Sequence, residues 1–124
     1  MKIALVAHGD NPPYLKELFN GEGFELVEKE CNNEKEYIDL LKDADGALVY
    51  LNPLTTKEVM EQCSNLKVIS RGGVGVDSVD LEAATELGIC ICNTPGINTT
   101  EVADHAMAML LSLTRKIREQ DALV

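Results

Sequence analysis

The sequence predicts an α/β fold, in which a flavodoxin-like open parallel sheet of five strands has helices on both faces and is followed by a C-terminal interdomain helix. Short apolar runs alternate with longer amphipathic stretches along the 124 residues, a pattern typical of strands and helices in turn. The strand and helix pair repeats five times. Strands this short and apolar need covering on both faces, which a parallel sheet with right-handed crossovers provides.

Each element has its own signal in the sequence. The predicted strands are Lys2–Ala7, Phe24–Val27, Ala47–Leu51, Leu66–Ser70 and Ile89–Cys92. The predicted helices are Pro13–Phe19, a helix from Asn33 to about Ala44, a helix from Thr55 to about Gln62, and Asp80–Leu87, which Gly88 ends. Asn33 resembles a helix cap, and Thr55 with Glu58 fits a capping box. Ligands bind beyond the carboxyl ends of parallel strands, so we expect function in the turns after the third, fourth and fifth strands.

The last helix carries apolar residues around most of its circumference, from Val102 to Leu113. Such a helix is normally buried on all sides. Little of this small chain remains to cover it, so we expect a further domain or a partner subunit to do so. Neither Gly nor Pro follows Thr114–Arg118 to signal a helix end. We therefore expect the chain to be cut off from a longer protein.

The composition excludes several classes of partner. Eleven basic against 21 acidic residues give a net charge of -10, which repels nucleic acid and anionic lipid headgroups. No run approaches the ~20 apolar residues of a membrane helix, and Met1-Lys2 leads directly into a strand without a signal peptide. The sequence thus predicts a cytoplasmic protein without nucleic-acid or membrane partners.

The four cysteines, Cys31, Cys63, Cys90 and Cys92, show no CxxC spacing, and we expect reduced thiols. Cys90 and Cys92 alternate on one strand and so share a face, which could be half a metal site. A tetrahedral site needs more ligands than this pair. We therefore interpret them as buried core cysteines and predict no metal site.

The most informative stretch runs from Ser70 to Asp77, where a strand opens into three glycines. Successive N–H groups in such a turn can form an anion site, strengthened by the dipole of the following helix. Arg71 would add a permanent cation. Alternatively, the glycines only make a tight turn and Arg71 pairs with Asp77 or Asp80. A dinucleotide fingerprint fits poorly, because Ser78 stands where its third glycine belongs.

A second polar stretch, Asn93 to Thr100, precedes the last helix. Asn98, Thr99 or Thr100 can cap that helix, and the surplus polar side chains either serve a ligand or only form a loop. The two histidines, His8 and His105, are interpreted as a turn residue and an interface residue. Asp104 and His105 are neighbours in the chain and point to different sides of a helix, so we do not expect them to pair.

These motifs together resemble a known family. They are the run from Leu66 to Asp77, then Val79 to Ala84, Gly88-Ile89, Asn93 to Gly96, Asn98-Thr99 and Val102 to His105. The pattern looks like the D-isomer-specific 2-hydroxyacid dehydrogenases, especially the phosphoglycerate dehydrogenase branch. The resemblance is close from Leu66 to about Ile117 and is limited to strand order and spacing before that.

The resemblance implies an activity and a domain organisation. Residues 1–97 would form the substrate domain, and residues 98–124 would lead to an NAD-binding domain beyond this chain. The intact enzyme, expected to be a homodimer, would transfer a hydride between NAD and a small 2-hydroxy or 2-oxo acid. The family's dinucleotide fingerprint and catalytic residues lie beyond the position of Val124. The resemblance thus implies no catalytic residue in this chain and no turnover by it alone.

The resemblance also implies roles for particular residues. Val74 and Gly75 would bind the substrate carboxylate through backbone N–H groups, and Val74 would also face the cofactor. Asn98 would lie near the substrate, while Thr99 and Val102 would lie where the interdomain helix meets NAD. The turn that begins with Tyr50 and Leu51 would form a wall of the substrate cleft.

Two residues depart from the family pattern. Close relatives often carry arginine at the position of Tyr50, which makes phosphate recognition an open question. Asp104 stands where the family more often has glutamate, and it keeps an acid near the helix start. The competing interpretation of the whole chain is a stand-alone flavodoxin-like domain that binds a small anion or signals. A phosphoacceptor version of it fits poorly, since Leu51-Asn52-Pro53 supplies no acid after the third strand.

Overall fold

The five strands form one parallel sheet in the computed structural model, which describes residues 1–7 and 14–123. The strands are β1 (Lys2–Val6), β2 (Glu25–Lys29), β3 (Gly46–Val49), β4 (Val68–Arg71) and β5 (Cys90–Cys92). The helices are α1 (Tyr14–Gly21), α2 (Glu34–Leu41), α3 (Lys57–Glu61), α4 (Leu81–Glu86), α5 (Thr99–Thr114) and α6 (Ile117–Asp121). The strand order is β2-β1-β3-β4-β5, which is the flavodoxin-like order. The predicted fold class is confirmed.

The core lies between one face of the sheet and the helices α2, α3 and α4. Alternate strand residues point into it, as the period of a β-strand requires. Its largest fully buried side chains are Tyr37, Leu41, Val49, Val59, Met60 and Ile69. The crossover from β1 to β2 runs in the opposite direction to the later crossovers, so a right-handed connection puts α1 on the other face. Helices thus lie on both faces, with three on one face and α1 on the other.

Two predicted helix starts have different outcomes. The Asn33 cap is confirmed, because its Oδ1 accepts a 2.9 Å hydrogen bond from the Glu36 N–H. The Thr55 capping box is wrong. Helix α3 starts at Lys57 after Thr56, and Thr55 lies in the core with 1% of its surface exposed. Its hydroxyl forms a 2.6 Å hydrogen bond with that of Tyr37, so burial next to a tyrosine overrides the local capping signal.

Strand ends differ from the predicted ones by one or two residues. The last pair between β3 and β4 is Val49 with Arg71, so β3 ends before Tyr50 and Leu51, and β4 includes Arg71. Both changes move the predicted site residues relative to the sheet: Tyr50 and Leu51 lie in the loop, while Arg71 is the last residue of a strand.

Cys90 and Cys92 are exposed, and the prediction that they are buried core cysteines is wrong. Ile91, between them, packs against the core, so its two neighbours point to the opposite face. That face is covered mainly near α1. Strand β5 is the edge strand farthest from β2, so its cysteines lie outside this cover. All four cysteines are free thiols, and Cys63 is the buried one.

Helix α5 is exposed over its whole length, with Val102 at 59%, Leu110 at 53% and Leu113 at 78%. The described part of the chain thus leaves this helix exposed, and its burial by a further domain or a partner subunit stays a prediction. It ends at Thr114, and Lys116 adopts left-handed backbone angles (φ 53°, ψ 39°) before α6 begins. A lysine thus makes the helix stop that glycine usually makes. No helix in the described part of the chain is long and apolar enough to cross a bilayer.

Candidate functional site

The turn after β4 presents a row of unused backbone donors at the carboxyl edge of the sheet. Its first two N–H groups are bonded, from Gly72 to the Val49 carbonyl and from Gly73 to the Arg71 carbonyl, both at 2.8 Å. The next three, those of Val74, Gly75 and Val76, donate to no acceptor within residues 1–7 and 14–123. Consecutive free N–H groups are what an anion-binding turn requires. The structure therefore supports the anion interpretation of this turn.

The contribution expected from the following helix is absent. Helix α4 begins only at Leu81, and its cap Asp80 accepts the Ala83 N–H at 3.0 Å. The helix start is thus separated from Gly75 by several residues and already carries an acidic cap. The same separation argues against a dinucleotide motif, in which the helix opens directly on the glycine turn.

Neighbouring loops hold the turn in place. The Asn93 side-chain amide donates a 2.7 Å hydrogen bond to the Val74 carbonyl, and the Thr94 N–H donates to the Gly73 carbonyl at 3.0 Å. Buried Ser78 donates to the Tyr50 carbonyl at 3.2 Å. These bonds connect the ends of β3 and β5 to the turn between them. The carbonyl of Val74 points towards Asn93, so the Gly75 N–H, on the opposite side of the same trans peptide, points away from Asn93.

Close packing explains why the first residue of the turn, Gly72, is a glycine. A Cβ at Gly72 would lie 2.7 Å from Cε1 of the Tyr50 ring, so only glycine lets that ring pack against the turn.

Sequence reasoning missed the roles of Ser78, Asn93 and Thr94. Asn93 and Thr94 stood in the polar stretch after β5, which was a usable signal, whereas nothing local distinguishes Ser78 from an ordinary loop serine.

Arg71 lies beside the free N–H groups with its charge uncompensated. It takes part in none of the ion pairs between described residues, so the alternative pairing with Asp77 or Asp80 is not observed. Its guanidinium folds over the turn, with Nη1 only 1.5 Å from where a Cβ of Gly73 would lie. Its Nε is buried without a partner among the described residues. The positive charge is thus available to an anion at the turn.

The other predicted residues lie around this edge without contacting the turn. Leu51 is 57% exposed in the loop after β3. Asn98 occupies the N-cap position of α5 but makes no side-chain cap bond. Thr99 and Val102 are exposed in the first turn of that helix. The side chain of Asn98 therefore does not cap the helix.

His105 plays no visible part in the site. His105 is exposed on α5, and the structure records no hydrogen bond between its side chain and Asp104. This agrees with the expectation that neighbours on a helix do not pair. His8 lies outside the described residues. The described part of the chain contains no cluster of three or more His, Cys, Asp or Glu side chains that could hold a metal ion.

Comparison with known proteins gives one family. Residues 4–122 match the model of the D-isomer specific 2-hydroxyacid dehydrogenase catalytic domain. The D-3-phosphoglycerate dehydrogenase of Sus scrofa is 37% identical over 110 residues, which are 89% of this chain and 21% of that protein. The chain thus spans about a fifth of the length of this curated relative.

Solved structures share the fold, as two of them illustrate. The TT0316 protein from Thermus thermophilus superposes with a TM-score of 0.85 at 31% identity, over 98% of this chain and 39% of that one. The NAD⁺-bound 3-phosphoglycerate dehydrogenase of Entamoeba histolytica gives a TM-score of 0.78 at 29% identity, over 90% and 38%. With the family model matching nearly its whole length, the chain belongs to the D-isomer specific 2-hydroxyacid dehydrogenase family.

Proposed function

We propose that this chain is the substrate-binding part of an NAD-dependent dehydrogenase that interconverts D-2-hydroxy acids and 2-oxo acids. One observation carries the proposal: three consecutive free N–H groups, from Val74 to Val76, lie beside the unpaired Arg71 at the carboxyl edge of the sheet. A carboxylate is acceptor-only and suits such a donor set. Because the chain belongs to a family of 2-hydroxyacid dehydrogenases, the carboxylate in this proposal is that of a 2-hydroxy or 2-oxo acid.

The residues of this chain hold and orient the substrate. The N–H groups of Val74 and Gly75 bind its carboxylate, and Arg71 adds a charged donor. Tyr50 and Leu51 form one wall of the cleft, and Asn98 lies near the substrate. Fixing the carboxylate also fixes the adjacent carbon, whose reaction then no longer has to overcome the loss of orientational freedom. No residue of this chain is assigned a proton-transfer role.

The residues expected near NAD fit that role. Val74 and Val102 are exposed apolar side chains, at 41% and 59%, and Thr99 offers an exposed hydroxyl at the start of α5. An apolar surface with a polar donor suits the nicotinamide end of a dinucleotide. NAD supplies the hydride chemistry when it is bound. In this proposal residues 1–97 are the substrate domain, and residues 98–124 lead to the domain that binds most of the cofactor.

The exposed apolar side of α5 supports a further part of the proposal, a homodimer in which this helix is covered. Exposed apolar patches of this kind mark protein interfaces in soluble proteins. Free thiols at all four cysteines are consistent with a reducing compartment, and we propose a cytoplasmic location.

The activity is tested by the initial rate of NADH oxidation with hydroxypyruvate, glyoxylate, 2-oxobutanoate, 2-oxo-4-methylpentanoate and 3-phosphohydroxypyruvate. The protein is expressed from the complete reading frame that encodes this chain. Turnover of at least one of these 2-oxo acids is expected. If none of them is reduced, the dehydrogenase proposal fails and the stand-alone anion-binding domain takes its place.

The carboxylate site is tested by Asn93→Ala in the same protein. Losing the bond to the Val74 carbonyl should loosen the turn and raise KM roughly fivefold, as expected for one hydrogen bond of ~1 kcal/mol. Asn65→Ala is the matched control, because Asn65 is exposed and makes no recorded side-chain bond. Equal KM values in the two variants would argue against carboxylate binding at this turn.

A further inference from the structure

We infer that the substrate of this site carries an uncharged apolar substituent on its 2-oxo acid group, and not a phosphate. This inference rests on the proposed function and names its substrate class. It comes from two properties of the carboxyl edge of the sheet: the loops of this chain supply one cation there, which suffices for one carboxylate, and each of three loops also exposes apolar side chains.

The first property is the shortage of cations. Between the ends of β3, β4 and β5 and the helices that follow them, residues 50–56, 72–80 and 93–98 contain no Lys or Arg, and Arg71 at the end of β4 is the one cation. Asp77 adds a negative charge at the turn, since its Oδ2 lies 2.8 Å from where a Cβ of Gly75 would lie. A carboxylate bound at the turn would use Arg71. A phosphate monoester would bring about two further negative charges without a second cation to receive them.

The other cations near this edge are engaged or distant. Lys57, the first residue of α3, is paired with Glu86 at 2.6 Å. Lys29 ends β2, three strands from β4 in the sheet order, or roughly 14 Å away at about 4.8 Å per strand. The sequence of residues 8–13, His-Gly-Asp-Asn-Pro-Pro, contains neither Lys nor Arg. The start of α4 is already capped by the Asp80 carboxylate, so it offers no alternative phosphate site.

The second property is the apolar lining of the same edge. Leu51 and Leu54 after β3, Val74 after β4 and Ile97 after β5 are exposed at 57%, 54%, 41% and 72%. The Tyr50 ring packs against the turn at Gly72. Three loops at the carboxyl edge of the sheet thus each expose an apolar side chain. They suit an alkyl or aryl substituent, and burying one methylene group there should favour binding roughly fourfold.

The experiment compares substrates on the complete protein with saturating NADH. It measures kcat/KM for 2-oxobutanoate, for 2-oxo-4-methylpentanoate and for 3-phosphohydroxypyruvate, on the unmodified protein and on Tyr50→Arg. The unmodified protein should prefer at least one of the alkyl substrates over the phosphorylated one by roughly tenfold or more. Tyr50→Arg should raise kcat/KM for the phosphorylated substrate roughly tenfold, the effect of one charge-assisted hydrogen bond to phosphate.

Leu87→Arg is the matched control, because it adds the same charge at an exposed leucine at the end of α4, away from the turn. It should leave the preference unchanged. A preference of the unmodified protein for 3-phosphohydroxypyruvate overturns the inference while leaving the proposed dehydrogenase intact. So does rejection of both alkyl substrates in favour of hydroxypyruvate or glyoxylate. Failure to reduce any 2-oxo acid rejects the proposed function itself, so the two failures are distinguishable.

Discussion

Tyr37 and Thr55 form a buried polar pair that joins α2 to the segment before α3. Their hydroxyls are 2.6 Å apart, and the side chains are 0% and 1% exposed. Tyr37→Phe leaves the Thr55 hydroxyl without its partner, and Thr55→Val does the reverse. Each single change should lower the free energy of unfolding by about 1–3 kcal/mol, whereas the double variant should cost less than the sum of the two. Urea unfolding of the four proteins measures this, and strictly additive losses would contradict it.

The buried thiol of Cys63 should make the free energy of unfolding depend on pH in the alkaline range. Burial raises the pKa of its thiol from 9.0 to about 11, because the thiolate would lose its hydration in the core. Above pH 9 the thiol of the unfolded chain ionises while that of the folded chain does not, so the unfolded state binds fewer protons. The free energy of unfolding should therefore fall as pH rises from 9 to 11.

The matched comparison is Cys63→Ala, which shifts the whole curve through the lost packing but removes this contribution to the slope. Burial also raises the pKa of Tyr37 to about 12, which leaves a residual slope in both proteins above pH 10. Chemical unfolding at pH 8, 9 and 10 separates the two contributions. Parallel pH profiles for the two proteins would show that Cys63 does not contribute.

At the scale of single elements, two helix starts make a paired test of capping. Asn33 caps α2 through the Glu36 N–H, and the Glu36 carboxylate in turn accepts the Asn32 N–H at 2.9 Å. Asn33→Ala should therefore cost about 1 kcal/mol of stability. Thr56, at the corresponding position of α3, makes no side-chain cap bond. Thr56→Ala should cost measurably less, and the reverse order in thermal or urea unfolding would refute the assignment of the caps.

The whole molecule leaves α5 uncovered, which predicts self-association. Leu110 and Leu113 are three residues apart on one side of the helix and are 53% and 78% exposed. The 124-residue chain should associate as its concentration rises, and the Leu110→Glu/Leu113→Glu variant should stay monomeric. Sedimentation equilibrium over a dilution series gives the mass of each. Leu87→Glu, at an exposed leucine outside α5, controls for added charge, and a monomeric unmodified chain would reject the prediction.

The sequence determined the alternation of elements, the parallel sheet and the position of the glycine turn after β4. These follow from local signals: apolar period, turn residues and the glycines around Val74. It also identified Arg71 as the cation beside that turn. The third strand ends at Val49 and not at Leu51, and the fourth ends at Arg71 and not at Ser70, because pairing register, and not composition, ends a strand.

Only the tertiary structure decided which side chains serve a turn, a cap or the core. Thr55 has the sequence of a helix cap but hydrogen-bonds Tyr37 in the core. Asn93 stands in a polar stretch that the sequence singled out, but only the structure shows that its side chain donates to the carbonyl of Val74, 19 residues away. The apolar character of α5, Cys90 and Cys92 likewise did not determine what surrounds them. Burial depends on which surfaces meet in space, and residues far apart in the chain decide that together.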